Sequence, residues 1–189
     1  MRILRYIWSL IGLAVMVCSC ADDPIPKPQA ELKLEFPQPA YHNISKGCPF
    51  VFQSNVNARV SSKSDCSMLI EYPKMNATMY ITYKKVHQDL DVLLRDAQKL
   101  TYEHVAKADN ITEQPFVNTK GSVYGMFYVI TGDAASNSQF YLTDSTSHFV
   151  TGSLYFKAKP NYDSLLPAVV YLQNDIRKIM ESFSWTVVN

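Results

Sequence analysis

Asp144-Ser145-Thr146-Ser147-His148 places a carboxylate, hydroxyls and an imidazole within five positions, the three side-chain types of a nucleophilic triad. In that chemistry the imidazole takes the hydroxyl proton and the carboxylate holds the imidazole, a relation of geometry and not of sequence neighbourhood. No Gly-x-Ser-x-Gly elbow accompanies the serine. Asp and Ser side chains also bond backbone amides in tight turns, so the pentapeptide reads as a hairpin turn and no catalytic residue is assigned. His42, His87, His104 and His148 are scattered, with no His-x-x-x-His pair and no Cys-x-x-Cys, so neither a metal nor a cofactor is expected. His104 falls on an apolar helical face, where a hydrogen-bonded core histidine is expected. Gly132-Asp133-Ala134-Ala135-Ser136 is too poor in glycine for a phosphate loop.

The four cysteines divide into two pairs with different chemistry. Cys18 and Cys20 close an apolar run, Ile7 to Val17, with Arg2 and Arg5 before it and Ala21-Asp22-Asp23-Pro24 after it. A basic start, a short apolar stretch and small residues at the end mark a secretory signal, here residues 1–19. A retained membrane helix is the alternative, and it needs ~20 mainly apolar residues, more than this run supplies. The segment resembles the lipobox of bacterial lipoproteins, which implies diacylglycerol on the Cys20 thiol, cleavage before it and an acylated amino terminus. Cys20 follows the small Ser19, whereas Cys18 follows Val17, so Cys20 is the better acceptor. The expected membrane contact is therefore lipid.

Cleavage removes Arg2 and Arg5 and turns a formal charge of +1 into −1. No basic field remains to draw in nucleic acid. Cys48 and Cys66 would fold in an oxidising space, where a disulfide is favoured over two free thiols. Such a bond contributes ~3 kcal/mol on the chain-entropy model. It is expected to staple a strand-poor stretch, Ser54 to Asp65.

Residues 20–40 hold five of the ten prolines and read as an extended tether behind the lipidated cysteine. Leu32, Leu34 and Phe36 alternate with polar residues, suggesting a first strand that Pro37 and Pro39 stop. The domain proper is expected over residues 41–189. Met79, Ile81 and Tyr83 alternate with Thr78, Tyr80 and Thr82 in a β-branched and aromatic run, the pattern of a strand. From Leu90 the apolar spacing changes to three and four, through Leu93, Leu94, Ala97, Leu100, His104 and Val105, the face of a helix. Period two returns over 111–118, 122–131, 138–143 and 148–157, broken by turn-forming clusters, which gives an antiparallel meander. A last helix opens at Pro160-Asn161-Tyr162-Asp163, with Asp163 or Ser164 as cap and Pro167 in its first turn. Its stripe is Leu165, Val169, Leu172, Ile176, Ile179, Met180 and Phe183.

These elements make an α+β fold, an antiparallel sheet with two main helices packed on it, and their order resembles the sandwich of PsbP-like proteins. Tyr124 and Tyr128 share one face of their strand, opposite Val123, Phe127 and Val129, so both faces are apolar or aromatic. That fits helices on one side of the sheet and a loop or partner on the other. Two covered layers and an exposed aromatic patch both remain open. Tyr102, Tyr124 and His148 are the candidate surface for a ligand or partner.

The chain from Pro26-Lys27-Pro28 to Trp185 resembles the GldD family of gliding-motility lipoproteins. The resemblance rests on Cys48-Pro49-Phe50, on Tyr102 to Asp109, on Val123-Tyr124-Gly125 and on Gly132 to Phe140. Leu142 to Phe149, Gly152 to Phe156, Pro160 to Pro167 and the closing Phe183-Ser184-Trp185 extend it. The family follows Pro-Lys-Pro with a basic residue and glycine, where Gln29-Ala30 stand here. The resemblance implies an outer-membrane or periplasm-facing lipoprotein that supports gliding and the linked type IX secretion pathway in Bacteroidetes. It supplies no catalytic residues. With no catalytic set among the residues, a non-enzymatic accessory or assembly subunit docking on other envelope proteins is expected, and Ala21-Asp22-Asp23 partly resembles an acidic signal for the cell surface. A binding module for a small ligand or glycan, with a cleft near Tyr102, Tyr124 or His148, is the alternative from a different class.

Overall fold

The computed structural model describes residues 36–157 and 161–186. The signal segment, Cys20, most of the tether, and Leu32 and Leu34 lie outside the described residues; Phe36 is described and belongs to no strand. The elements run β1 (Tyr41–Ile44), β2 (Phe50–Asn55), β3 (Arg59–Ser62), β4 (Met68–Tyr72), β5 (Ala77–Lys85), α1 (Leu90–Tyr102), β6 (Asn110–Asn118), β7 (Val123–Thr131), β8 (Ser136–Thr143), β9 (His148–Phe156), α2 (Tyr162–Ser182) and β10 (Ser184–Trp185).

The fold is α+β. Strands β3-β4-β5-β9-β8-β7-β6 form one antiparallel sheet in that order, and β1-β2-β10 form a smaller one. The meander β6 to β9 is present as consecutive neighbours, and β5 returns against β9 from Ala77↔Phe156 to Lys85↔His148. Short turns explain the meander, because neighbouring antiparallel strands need only a hairpin between them.

Period-two alternation sorts the large sheet into two chemically different faces. One is apolar: Met79, Ile81, Phe127, Phe140, Leu142, Val150 and Leu154 pack into a core with Leu172, Ile176 and Ile179 of α2. The small sheet closes the same core, with Phe50 stacked on Phe183 at a ring separation of 5.2 Å. Gly152 of β9 lies beneath the Phe140 ring, in a place where a Cβ would overlap the ring. The opposite face carries Thr78, Tyr80 and Thr82 of β5, Thr151 and Ser153 of β9, Gln139 and Tyr141 of β8, and Tyr124, Met126 and Tyr128 of β7. Helix α1 covers part of it.

Four expectations need correction. The helices do not share a side: α2 lies on the apolar face and α1 on the polar aromatic one, so the second layer beside Tyr128 is itself a helix. Helix α1 ends at Tyr102 with Leu93 and Thr101 as its buried residues, while Leu100 and Val105 stay exposed. His104 falls in the turn beyond the helix, half-buried, its Nε2 buried without a hydrogen-bond partner. Burial holds its pKa below the ordinary histidine value. The cap of α2 is Asn161, in extended conformation, whose side chain accepts from the Ser164 N–H. Pro167 then sits in the second turn, where its missing N–H leaves the Asp163 carbonyl without an intrahelical donor.

The fourth correction concerns the stretch Ser54 to Asp65. It is not strand-poor, since β3 pairs with β4 from Arg59↔Glu71 to Ser62↔Met68. The Cys48–Cys66 disulfide is formed, with Cα atoms 5.6 Å apart. It joins the loop entering β2 to the β3–β4 turn and so ties the small sheet to the edge of the large one.

Candidate functional site

The Asp144 turn is organised by its carboxylate. Asp144 Oδ1 accepts the N–H groups of Thr146, Ser147 and His148 at 2.8 to 2.9 Å. Burial raises the carboxyl pKa, but these three donors outweigh it and hold the group below the ordinary carboxylate value. His148 does not turn toward Ser145. Its Nδ1 is 2.8 Å from the Tyr83 hydroxyl and its ring stacks on Trp185 at 5.1 Å. The Trp185 indole N–H donates to the Ser122 carbonyl at 3.1 Å. His148 is thus a rim residue of the apolar face, where β10 closes the core.

Tyr102 and Tyr124 lie on the other face. The Tyr102 hydroxyl donates to Glu113 Oε1 at 2.7 Å. Glu113 stands opposite Tyr128, whereas Tyr124 is farther along β7, opposite Val117 and Thr143. The sheet therefore separates His148 from both tyrosines, and the three candidates do not converge on one pocket. Among the described residues no group of three His, Cys, Asp or Glu side chains is placed to hold a metal ion.

Sequence reasoning missed the most fully built polar cluster, which centres on Asp175. This carboxylate is 1 % exposed, inside the apolar stripe of α2. Tyr41 of β1 donates its hydroxyl to Oδ1 at 2.7 Å, and the amide of Asn55, at the end of β2, reaches Oδ2 at 2.9 Å and Oδ1 at 3.2 Å. The same amide reaches the Tyr171 hydroxyl at 2.9 Å, which in turn donates to the Pro37 carbonyl at 2.9 Å. Phe36 packs on the Tyr171 ring at 5.3 Å. The buried hydroxyl of Tyr72 approaches the carboxylate without closing a hydrogen bond.

Burial pushes the Asp175 carboxyl above its ordinary range, and the hydrogen bonds from Tyr41 and Asn55, with the Tyr72 hydroxyl nearby, pull it back only in part. The cluster works as a clamp. The carboxylate ties β1 and β2 to α2, and the Tyr171 hydroxyl, shared with Asn55, holds Pro37 at the end of the tether. A signal was present in the sequence, since Asp175 sits three residues after Leu172 and beside Ile176 on the face that should be apolar.

The family of gliding-motility lipoprotein GldD matches residues 21–185. The chain belongs to the GldD family. The matched stretch begins one residue after Cys20 and ends at Trp185, so the Asp175 clamp, the disulfide and the β10 closure all fall inside it. As a member of this lipoprotein family the chain is an envelope-associated protein connected with gliding motility. No curated protein matches it. Among the described residues no helix is long and apolar enough to cross a membrane.

Proposed function

We propose that the protein is a non-enzymatic accessory or assembly subunit of the gliding-motility and type IX secretion machinery. In this reading it is anchored in the outer membrane by lipid on Cys20, faces the periplasm and docks on other envelope proteins through its folded domain. The observation that carries the proposal is the family match over residues 21–185, which takes up directly after the cysteine of the lipobox. The clamp on Phe36 and Pro37 supports it, because a tether held firmly at its domain end transmits anchoring to the body.

Cys20→Ala in the source bacterium is the test. The variant is expected to keep its fold and the Cys48–Cys66 bond, to leave the membrane fraction, and to lose secretion and surface motility together. Cross-linking of the wild-type protein should co-purify motility or secretion components. Full activity of a Cys20→Ala chain found only in the soluble fraction would defeat the anchoring part. A monomeric, partner-free product after cross-linking would defeat the assembly part. Protease shaving of intact cells, with a periplasmic protein as control, tests the facing: protection is expected, and cleavage in intact cells would place the domain on the surface.

A further inference from the structure

The polar aromatic face of the large sheet is only partly covered by α1, and a groove of about 350 Å³ lies between that helix and strands β6 to β8. Its size is within the ~300–1,000 Å³ of small-molecule sites. Tyr128 and Tyr141, with ring centroids 6.5 Å apart, line it beside Met126, and Leu94 of α1 faces them. Tyr128 is 3 % exposed, yet it borders the groove, and its hydroxyl has no hydrogen-bond partner among the described residues. The hydroxyl is not sealed from solvent, so it opens into the groove where a ligand oxygen can take the place of water. The Tyr141 hydroxyl likewise has no partner among the described residues. Tyr141 is held in orientation by Phe149, on which it stacks at 5.7 Å.

The rim supplies the complementary chemistry. Glu113 offers carboxylate oxygens and is steadied by the Tyr102 hydroxyl at 2.7 Å. Arg95 and Gln98 bring donors from α1, and Asp91 brings a second carboxylate. Two carboxylates against one guanidinium disfavour an anionic ligand. The phenols are protonated at neutral pH, as any tyrosine is, and burial together with Glu113 raises both pKa values further. Each is then both donor and acceptor. Aromatic rings and a methionine at the base, with hydroxyls, carboxylates, an amide and a guanidinium converging above, suit a ligand whose C–H faces are apolar and whose edge is covered with hydroxyls.

We propose that this groove binds a short neutral saccharide, with Tyr128, Tyr141 and Glu113 as its principal hydrogen-bonding residues. The site is independent of the anchoring role, and it assigns a ligand to the face that carries Tyr102.

The full lipidated chain, in a zwitterionic detergent free of sugar, is presented with chitobiose, cellobiose and maltotriose. Binding is followed by saturation-transfer NMR and by calorimetry. At least one probe is expected to bind, with Tyr128→Phe weakening it about tenfold, the loss of one net hydrogen bond. Tyr141→Phe and Glu113→Gln should each weaken it as well. Tyr128→Phe keeps the buried ring, and a thermal melt matching the wild type confirms that lost binding is not lost folding. If Tyr128→Phe does not fold, Tyr141→Phe and Glu113→Gln decide. Failure of all three saccharides to bind overturns the proposal. So does binding that these variants leave unchanged, or capture of an unstructured peptide in place of any saccharide.

Discussion

Replacing Asp175 separates the clamp's hydrogen bonds from its buried charge. Asp175→Ala removes an acceptor for the Tyr41 hydroxyl and the Asn55 amide. Hydrogen bonds to a charged group contribute ~1.5–3 kcal/mol each, so the gross loss is about 3–6 kcal/mol. Two effects offset it. The desolvation cost of the carboxylate disappears, and the stranded donors recover partners, since Asn55 keeps the Tyr171 hydroxyl and the half-exposed Tyr41 reaches water. A net destabilisation of about 2–3 kcal/mol is expected. Asp175→Asn keeps one acceptor oxygen and removes the charge, and should cost less than ~1 kcal/mol at neutral pH. The pH dependence gives the sharper test. A carboxyl whose folded pKa is raised binds its proton more tightly in the folded state. Its contribution is fully present below the unfolded value of 3.8 and is lost as pH rises through the higher folded value. The stability advantage of wild type over Asp175→Asn should therefore grow as the pH falls from neutrality toward 3.8, at no more than ~1.4 kcal/mol per pH unit. Urea unfolding of both proteins across that range measures it. Parallel pH curves for wild type and Asp175→Asn, or an Asn variant as damaged as the Ala variant, would refute the argument.

Two further perturbations bear on the body of the domain. Cys66→Ala opens the bond to Cys48 across a sequence separation of 18 and should cost ~3 kcal/mol in urea unfolding, with little effect of added reductant on the variant; an unchanged midpoint relative to the oxidised wild type would show that the bond adds no stability. Gly152→Ala drives a Cβ into the Phe140 ring, and a loss of about 1–3 kcal/mol is expected, partly recovered by Phe140→Leu in the same chain; additive losses in the double variant would place the strain elsewhere.

The parts of this fold that were legible in sequence are those whose neighbours along the chain are also neighbours in space. The meander is readable because each of its turns is a cluster of Gly, Asp, Ser or Asn between alternating runs, and α2 because its stripe repeats over five turns. Strand β3 was not readable. Arg59-Val60-Ser61-Ser62 is largely exposed and has no apolar alternation, and its strand character comes from pairing with β4. The side occupied by α1 was also hidden, because the face beneath it is built from Thr, Ser, Gln and Tyr, which a hydropathy pattern assigns to solvent. The Asp175 clamp joins residues 134 and 120 positions apart. A charge in an apolar stripe announces that partners exist, and only the fold says which they are.

The two polar clusters lie on opposite sides of the large sheet, and that separation has a mechanical consequence. The tether is held at Phe36 and Pro37 through Tyr171 of α2, on the apolar side, while the saccharide groove opens between α1 and β6 to β8 on the other. Fifteen residues lie between Cys20 and Phe36. Phe36 and Pro37 meet the body on its α2 side, opposite the face that carries α1. Removing the bond to Pro37 with Tyr171→Phe should consequently reduce function in cells more than its effect on domain stability predicts, and equal losses in the two would show that the clamp serves folding alone.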